Sequence, residues 1–367
     1  EQLARVFLND MYFIVDYYKS KGQEVQPFYE DAKDKMASQM AYKVCKFIEA
    51  SLIKHGLRTF TDQVIEALRI FRQHKQLIPE FEHVLVDEYQ DVNDLQIDLL
   101  KTLSPKSTFA VGDPRQSIFG WRGSKVKYIL DFQEKNPDAS VISLTTNYRS
   151  TGQIVNFINA TIRNMRMPDL EAAAEGKKDI HLIGFDSEAS EREFVVQKIL
   201  GSSNSPGEIF VLGRTNKQLK ELSKVMHERQ IDHITRSEDD KPQPLKDAVT
   251  LSTIHAIKGL EAELVFVLGC TSNNFPCKST DHPVIDMVKV EDYDREEEER
   301  RLFYVALSRA KESLYLTHSG TKPTYYITEK MREQLNLKKT TSKASSVFTS
   351  GSKITGTRLA GSKATGN

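Results

Sequence analysis

Six short apolar runs rich in β-branched residues, separated by segments with helical spacing, constrain the fold of this chain most strongly. Runs of this length, bounded by polar residues, are typical of strands buried on both faces of a parallel sheet. Strands that alternate with helices indicate an α/β fold with mostly parallel sheets. The runs are HVLVDE (83–88), TFAVGD (108–113), SVISL (140–144), EIFVLGR (208–214), AVTLST (248–253) and ELVFVLG (263–269).

The two ends of the chain have a different character. Up to about residue 75, apolar residues recur at spacings of three and four, which predicts a helical N-terminal region. The segment 338–367 is rich in Ser, Thr, Gly and Lys and has six basic and no acidic residues. Such a composition cannot bury enough apolar surface to offset its ordering entropy, so it predicts a disordered basic tail.

Charge and cysteine content narrow the class of protein. The chain has 367 residues, with 51 basic and 51 acidic side chains, so any site for a polyanion must be local. Without the tail, 45 basic and 51 acidic residues give a net charge of −6. No apolar run approaches the roughly 18 residues of a membrane helix, so we expect no membrane association. Three scattered cysteines and no secretory signal favour a reducing, cytoplasmic location.

Two carboxylates follow the first run directly, in VLVDEYQD (84–91). A parallel strand ending in acids delivers them to the sheet edge where α/β proteins bind ligands. A Mg²⁺-nucleotide site needs one carboxylate near the metal and one that orients and deprotonates water, so Asp87 and Glu88 fit these roles. A strand capped by solvated acids explains this segment alone equally well.

The segment VGDPRQSIFGWRGS (111–124) follows the second run. The neutral amide of Gln116 can reach a phosphate oxygen or a water molecule. Phe119 and Trp121, with Arg122 next to them, predict a surface on which nucleic-acid bases stack. The alternative for the only tryptophan of the chain is core packing.

Two further segments supply arginines. In LTTNYRS (144–150), Tyr148 can stack on a purine and Arg149 can meet a phosphate. The segment 297–316 is predicted to be a helix with Arg309 near its polar end, where an arginine can stabilise a transferring γ-phosphate. A salt-bridged helix surface is the alternative for Arg300, Arg301 and Arg309, and a plain turn is the alternative for the segment that carries Arg149.

The segment VTLSTIHAIKGLEAELVFVLG (249–269) is predicted to be two strands joined by a polar loop. Thr253 and His255 can hold a nucleic-acid phosphate, and Glu261 can accept from a ribose hydroxyl. A structural hydrogen-bonding role is the alternative for His255.

Taken in order, DEYQD, GDPRQSIFGWRG, NYRS, TIHAIKGLE and RRLFYVALSRA resemble motifs II to VI of the UvrD/Rep branch of superfamily 1 DNA helicases. The resemblance spans roughly residues 59–317. It implies an ATP-dependent 3′ to 5′ helicase or translocase with two RecA-like lobes. ATP and Mg²⁺ would lie in the cleft between the lobes, and the partner would be single-stranded DNA or DNA with a 3′ single-stranded tail, in repair, replication or recombination.

The resemblance also implies a division of the chain and roles for single residues. Residues 1–80 would be the helical part of the first lobe and its accessory subdomain, 81–145 the rest of that lobe, and 146–337 the second lobe. The implied catalytic residues are Asp87 (also the metal ligand), Glu88, Gln116, Arg149 and Arg309. The implied cofactor-binding residues are Tyr148, Glu261 and Gln90, and the implied DNA-binding residues are Phe119, Trp121, Arg122, Thr253 and His255.

The sequence departs from the family pattern at several points. It has no G-x-x-x-x-G-K-[ST] phosphate-binding loop. We therefore expect the first lobe to be N-terminally incomplete, its sheet to expose apolar residues, and the natural protein to contain the missing segment. The family's inserted subdomain is reduced to a loop at 237–248. Phe119 and Ser308 replace the usual Tyr and Thr of motifs III and VI.

Other functions stay open at this point. A non-catalytic DNA- or protein-binding protein on a degenerate helicase scaffold would also lack the phosphate-binding loop. A nuclease-coupled helicase is disfavoured, because the tail has no carboxylate. The basic tail would add electrostatic affinity for DNA or bind a partner protein.

Overall fold

The computed structural model describes residues 2–30, 34–161, 167–176, 179–236, 247–277 and 294–335. The tail and residues 237–246 of the predicted loop lie outside these residues. The described helices are α1 (Gln2–Ser20), α2 (Lys35–Lys54), α3 (Phe60–Gln73), α4 (Asp94–Leu103), α5 (Lys127–Leu130), α6 (Phe132–Lys135), α7 (Gly152–Asn159), α8 (Glu188–Leu200), α9 (Asn216–Glu228), α10 (Arg295–Leu307) and α11 (Glu329–Gln334). The described strands are β1 (His83–Val86), β2 (Ser107–Ala110), β3 (Thr146–Thr151), β4 (Glu171–Ala174), β5 (Ile180–Phe185), β6 (Ile209–Gly213), β7 (His233–Arg236), β8 (Val249–Thr253), β9 (Ala262–Val267) and β10 (Ala310–Ser319). None of the helices in the described part of the chain has the length and hydropathy that a membrane span requires.

Three helices precede the first strand, as the spacing of apolar residues predicts. Helix α3 begins with a capping box, because Thr59 Oγ1 accepts from the Asp62 amide at 3.2 Å and Asp62 accepts from the Thr59 amide at 2.8 Å. Helices α1 and α2 share an apolar core that includes Met11, Ile14, Cys45 and Ile48.

The largest sheet has six parallel strands in the order β5-β10-β9-β6-β8-β7. Every residue of β6 is buried, and its side chains alternate between two cores. Phe210 and Leu212 join the core formed with α7, α10 and α11, whereas Ile209 and Val211 join the core formed with α8 and α9. A sheet covered by helices on both faces accounts for strands without polar alternation. The predicted α/β fold with parallel sheets is confirmed.

A second parallel sheet contains only β1 and β2, with Val84 opposite Thr108. The expectation that HVLVDE is buried on both faces is wrong for the described residues, because Leu85 is 73% exposed and Phe109 is 60% exposed. This sheet therefore exposes large apolar side chains. We call residues 83–135 the two-stranded unit and the described residues between 146 and 335 the six-stranded unit.

Two predicted elements differ from the structure. SVISL (140–144) is not a strand, and Ile142 is 78% exposed; β3 starts later and pairs with β4. The predicted helix over 297–316 is wrong in its second half. Helix α10 ends at Leu307 and the chain continues as β10, because its apolar residues fill the sheet between β5 and β9.

Candidate active site at the junction of the two units

The two predicted catalytic acids lie at the carboxyl end of β1. Asp87 and Glu88 are both exposed, and the Glu88 amide donates to Asp87 Oδ1 at 2.8 Å. Glu88 has a φ of 52°, an uncommon backbone conformation for a non-glycine residue. The amide of Tyr89 then donates to the Val111 carbonyl at 2.9 Å. The acids therefore lie beside the segment that follows β2.

Gln90 connects the segments that follow β1 and β2. Its side chain is buried, its Oε1 accepts from the Asp113 amide at 2.9 Å, and its Nε2 donates to Glu88 and Asp91. A Cβ atom on Gly112 would lie 2.4 Å from Gln90 Oε1, so this close approach requires glycine. The Gln90 amide is thus engaged within the protein.

Asp113 determines the orientation of Gln116. Its Oδ1 accepts from the amide and Nε of Arg115, at 3.0 and 2.8 Å, and its Oδ2 accepts from Gln116 Nε2 at 3.0 Å. These bonds hold the short 3-10 turn from Pro114 to Gln116. Gln116 Oε1 then accepts from Arg309 Nη2, at 3.4 Å, across the junction of the two units.

Arg309 follows the end of α10 and is 1% exposed. Its guanidinium also donates to the carbonyls of Val305 and Leu260, at 3.0 and 3.1 Å, and to Ser308 Oγ at 2.9 Å. Burial, followed by the positive charge of Arg149, lowers the pKa of Arg309 to about 10. Burying a charged guanidinium next to a second arginine costs free energy, and an anion that binds beside it would lower this cost.

Arg149 lies near Arg309 on the same side of the junction, within the six-stranded unit. Its Nη1 donates to the Ser308 carbonyl at 3.3 Å, and its Nε donates to Glu261. Burial acts to raise the pKa of Glu261, but the hydrogen bonds and charges of Arg149 and Lys311 outweigh it and lower that pKa. The carboxylate therefore stays ionised as an acceptor.

An open cavity of about 420 Å³ lies beside this ion pair. It is lined by Asn147, Tyr148, Arg149 and Glu261, and the Tyr148 ring is 80% exposed. Asn147 Oδ1 accepts from the amides of Arg149 and Ser150, both at 2.9 Å, which fixes the turn in the backbone. The structure thus brings a free aromatic face, a cation and a carboxylate together.

Four of the five residues predicted to bind DNA, Phe119, Trp121, Arg122 and His255, form one cluster. The His255 ring lies 6.1 Å from the rings of both Phe119 and Trp121, and the Arg122 guanidinium lies 4.5 Å from the Trp121 ring. Trp121 is only 7% exposed and packs 5.3 Å from the Phe13 ring. Thr253 is also buried and accepts from the Ala256 amide at 3.4 Å. Arg122 is exposed, Phe119 and His255 are partly exposed, and these three side chains are the accessible ones.

Lys258 received no role in the sequence analysis, yet it contacts the candidate acids. Its Nζ donates to Asp91 and to the Gln116 carbonyl, the latter at 3.0 Å, and lies 3.3 Å from Glu88 Oε2. Burial raises the pKa of Asp91, and Lys258 opposes this rise. Asp91, the third acid of DEYQD, was visible in the sequence, but nothing there indicated which cation would pair with it.

Hydrogen bonds to α10 further join the two units. The Gly120 amide donates to Glu298 Oε2 at 2.7 Å, and Arg301 Nε donates to the Ser117 carbonyl at 2.6 Å. Ile118 is fully buried in the core of the six-stranded unit. The segment that carries Gln116 and Phe119 is therefore fixed to the second unit at both of its ends.

Comparison with known proteins gives matches over most of the chain. The model described as the UvrD/REP helicase N-terminal domain matches residues 9–137. The model described as the UvrD-like helicase C-terminal domain matches residues 142–240 and 234–321.

Similar curated proteins are DNA helicases by name. The ATP-dependent DNA helicase PcrA of Staphylococcus epidermidis is 35% identical over 197 residues, which are 50% of this chain and 27% of that protein. The probable DNA helicase II homolog of Mycoplasma capricolum is 32% identical over 200 residues, 51% of this chain and 28% of that protein. The chain thus spans less than a third of these relatives. A solved C-terminal domain of a possible DNA helicase from Lactobacillus plantarum WCFS1 matches with 19% identity and a TM-score of 0.37, over 50% of this chain and 96% of that one.

Proposed function

The chain belongs to the UvrD/Rep-like helicase family, and from this premise we propose that it forms part of an ATP-dependent DNA helicase or translocase that moves 3′ to 5′ on single-stranded DNA. Its substrate is single-stranded DNA or DNA with a 3′ single-stranded tail, in repair, replication or recombination. The two units are parts of two RecA-like lobes, with the boundaries expected from the sequence: 1–80 and 81–145 in the first, 146–337 in the second.

The hydrogen bond between Gln116 and Arg309 carries this proposal. It joins an amide after β2 to a buried guanidinium after α10, with Arg149 beside them. An amide, two arginines and two acids around one junction are the groups that stabilise charge on a transferring phosphoryl group. Because the groups come from both units, hydrolysis and relative motion of the units are coupled.

The residues at the junction fit ATP and Mg²⁺ by their chemistry. Asp87 and Glu88 offer exposed carboxylate oxygens, and Tyr148 offers an exposed ring face beside Glu261. The described residues contain no group of three or more His, Cys, Asp or Glu able to hold a metal, which suits Mg²⁺ bound by one carboxylate and nucleotide phosphates. Asp87 would hold the ion, which would neutralise phosphate charge.

Each remaining residue has one task in the proposal. Glu88 orients and deprotonates water, whereas Gln116, Arg149 and Arg309 contact the γ-phosphate. Tyr148 stacks on the adenine and Glu261 accepts from the ribose, with Gln90 holding the adjoining acids. DNA contacts come from Phe119, Trp121, Arg122, Thr253 and His255.

The phosphate-binding loop belongs, in this proposal, to a segment outside the present sequence. The exposed side chains of Leu85 and Phe109, which lie opposite each other in β1 and β2, support this, because an apolar sheet face of this kind is normally covered. Further strands that carry the loop would cover it. The basic tail (338–367) adds electrostatic DNA affinity or binds a partner protein; if its deletion leaves the salt dependence of DNA binding unchanged, the DNA role is excluded.

ATP hydrolysis by the full-length protein, with and without single-stranded DNA, tests the proposal. We expect DNA to stimulate hydrolysis, Arg309→Gln to lower kcat by about 1,000-fold, and a duplex with a 3′ tail to be unwound in preference to one with a 5′ tail. Arg229→Gln is the control, because Arg229 is a half-exposed arginine paired with Glu193. If DNA binds without any nucleotide hydrolysis, the non-catalytic alternative replaces the proposal.

A further inference from the structure

Lys258 is the residue whose ammonium contacts both candidate sites. Its Nζ lies 3.3 Å from Glu88 Oε2, donates to the Gln116 carbonyl at 3.0 Å and is hydrogen-bonded to Asp91. The same Nζ lies 5.3 Å from the centroid of the Phe119 ring, within the range of a cation–π interaction. One charge thus contacts the candidate general base and a candidate base-stacking ring.

The turn that carries Lys258 also carries His255. Residues 254–259 form one compact turn, in which the Lys258 amide donates to the His255 carbonyl at 3.4 Å. Ile254 and Ile257 are fully buried in the core of the six-stranded unit. His255, near Phe119 and Trp121, and Lys258, near the acids, therefore belong to one rigid segment.

We propose that Lys258 is a positioning residue that couples single-stranded DNA at Phe119 and His255 to the position of the Glu88 carboxylate. The inference rests on the proposed function and adds the link between its two sites. The side chains of Lys258 and Asp91 are 11% and 20% exposed, so this pair is only weakly screened by solvent, whereas the Glu88 side chain is 61% exposed. A nucleotide base that stacks on Phe119 competes for the same ring, which moves the ammonium relative to Glu88.

DNA stimulation of ATP hydrolysis by the full-length protein is the first measurement. Lys258→Met keeps the length of the side chain and removes its charge, and we expect it to lower the ratio of kcat with DNA to kcat without DNA at least about fivefold, the lower end of coupling between linked sites. Lys258→Arg should recover part of the ratio. Lys19→Met, which breaks a similarly buried lysine–aspartate pair among the N-terminal helices, should leave it unchanged. An unchanged ratio in Lys258→Met overturns the inference.

Reciprocity of binding supplies the second measurement, which needs no ATP hydrolysis. If Lys258 couples the sites, Glu88→Gln changes the affinity for a labelled single-stranded oligonucleotide in the wild-type background and has no effect in the Lys258→Met background. Independent effects of the two substitutions on DNA affinity overturn the inference. Absence of hydrolysis in the wild type would instead overturn the proposed function, and the affinity cycle would still decide the role of Lys258.

Discussion

Asp113 Oδ2 accepts a hydrogen bond from Gln116 Nε2 at 3.0 Å, and this bond fixes which way the glutamine amide points. Because the nitrogen faces Asp113, the amide oxygen faces Arg309, which donates to it. A flipped amide would set Nε2 against the guanidinium, two donors facing each other. Asp113 therefore acts on the junction through Gln116.

We expect Asp113→Ala to lower kcat of the full-length protein by about 10- to 100-fold, because a freely rotating amide is misplaced relative to the reacting phosphate. The affinity for single-stranded DNA should stay within twofold, roughly the scale of a surface substitution. Asp113→Asn keeps one acceptor oxygen, so its kcat should lie between those of the wild type and Asp113→Ala. Steady-state kinetics measures the change, and a wild-type kcat in Asp113→Ala would contradict this role.

Trp121 and Phe119 should respond differently to truncation. Trp121 is 7% exposed and packs on Phe13, so Trp121→Ala should lower the free energy of unfolding by about 3–5 kcal/mol. Phe119→Ala should weaken binding of single-stranded DNA by about tenfold, the scale of one lost base-stacking contact. Urea unfolding and oligonucleotide anisotropy separate the effects. A Trp121→Ala variant with wild-type stability and weakened DNA binding would contradict the prediction that Trp121 acts mainly through packing.

The sequence predicts the elements of this protein better than their partners. Apolar runs identify β6, β8 and β9, because strands buried on both faces are continuous apolar segments. SVISL has the same pattern without forming a strand, since pairing depends on a neighbouring strand that local sequence does not specify. Asp87, Gln116 and Arg309 could be singled out from motifs, whereas the contacts of Lys258 could not, because they depend on how two distant segments pack.

Leu85 and Phe109 test whether the two-stranded unit is part of a larger sheet. In the present 367-residue chain they are 73% and 60% exposed, so Lys at both positions should change the free energy of unfolding by less than about 0.5 kcal/mol each and reduce aggregation. In a chain that also contains the proposed phosphate-binding segment, the same changes should cost about 3 kcal/mol or more, because covered apolar residues would be replaced by charges.

Ile97→Lys is the control for this comparison. Because Ile97 is 7% exposed, this substitution should destabilise both the present chain and the longer one. Chemical unfolding with matched aggregation assays gives the measurement. Equal tolerance of the Leu85 and Phe109 substitutions in the full-length protein would mean that no further segment covers this face.

The burial of Glu191 predicts that the difference in stability between the wild type and a Glu191→Gln variant depends on pH. It is 4% exposed, and its Oε1 accepts from the Gly269 amide at 2.8 Å and from Thr317 Oγ1 at 2.5 Å. Burial raises its pKa above the ordinary value of 4.5, against the effect of these bonds. Between pH 4.5 and the raised pKa, the folded state therefore holds more protons than the unfolded state. The free-energy cost of burying the Glu191 carboxylate falls as the pH decreases through that window.

Glu191→Gln keeps an acceptor oxygen and removes the buried charge. We expect it to raise the free energy of unfolding at neutral pH by roughly 1–2 kcal/mol, the scale for one buried polar group, and this gain over the wild type should shrink as the pH falls toward 4.5. Urea unfolding at a series of pH values measures the difference, with Glu193→Gln, a partly exposed acid of α8, as control. A gain that is constant with pH would show that the carboxylate is not the source, because only a group that titrates differently in the folded and unfolded states produces that slope.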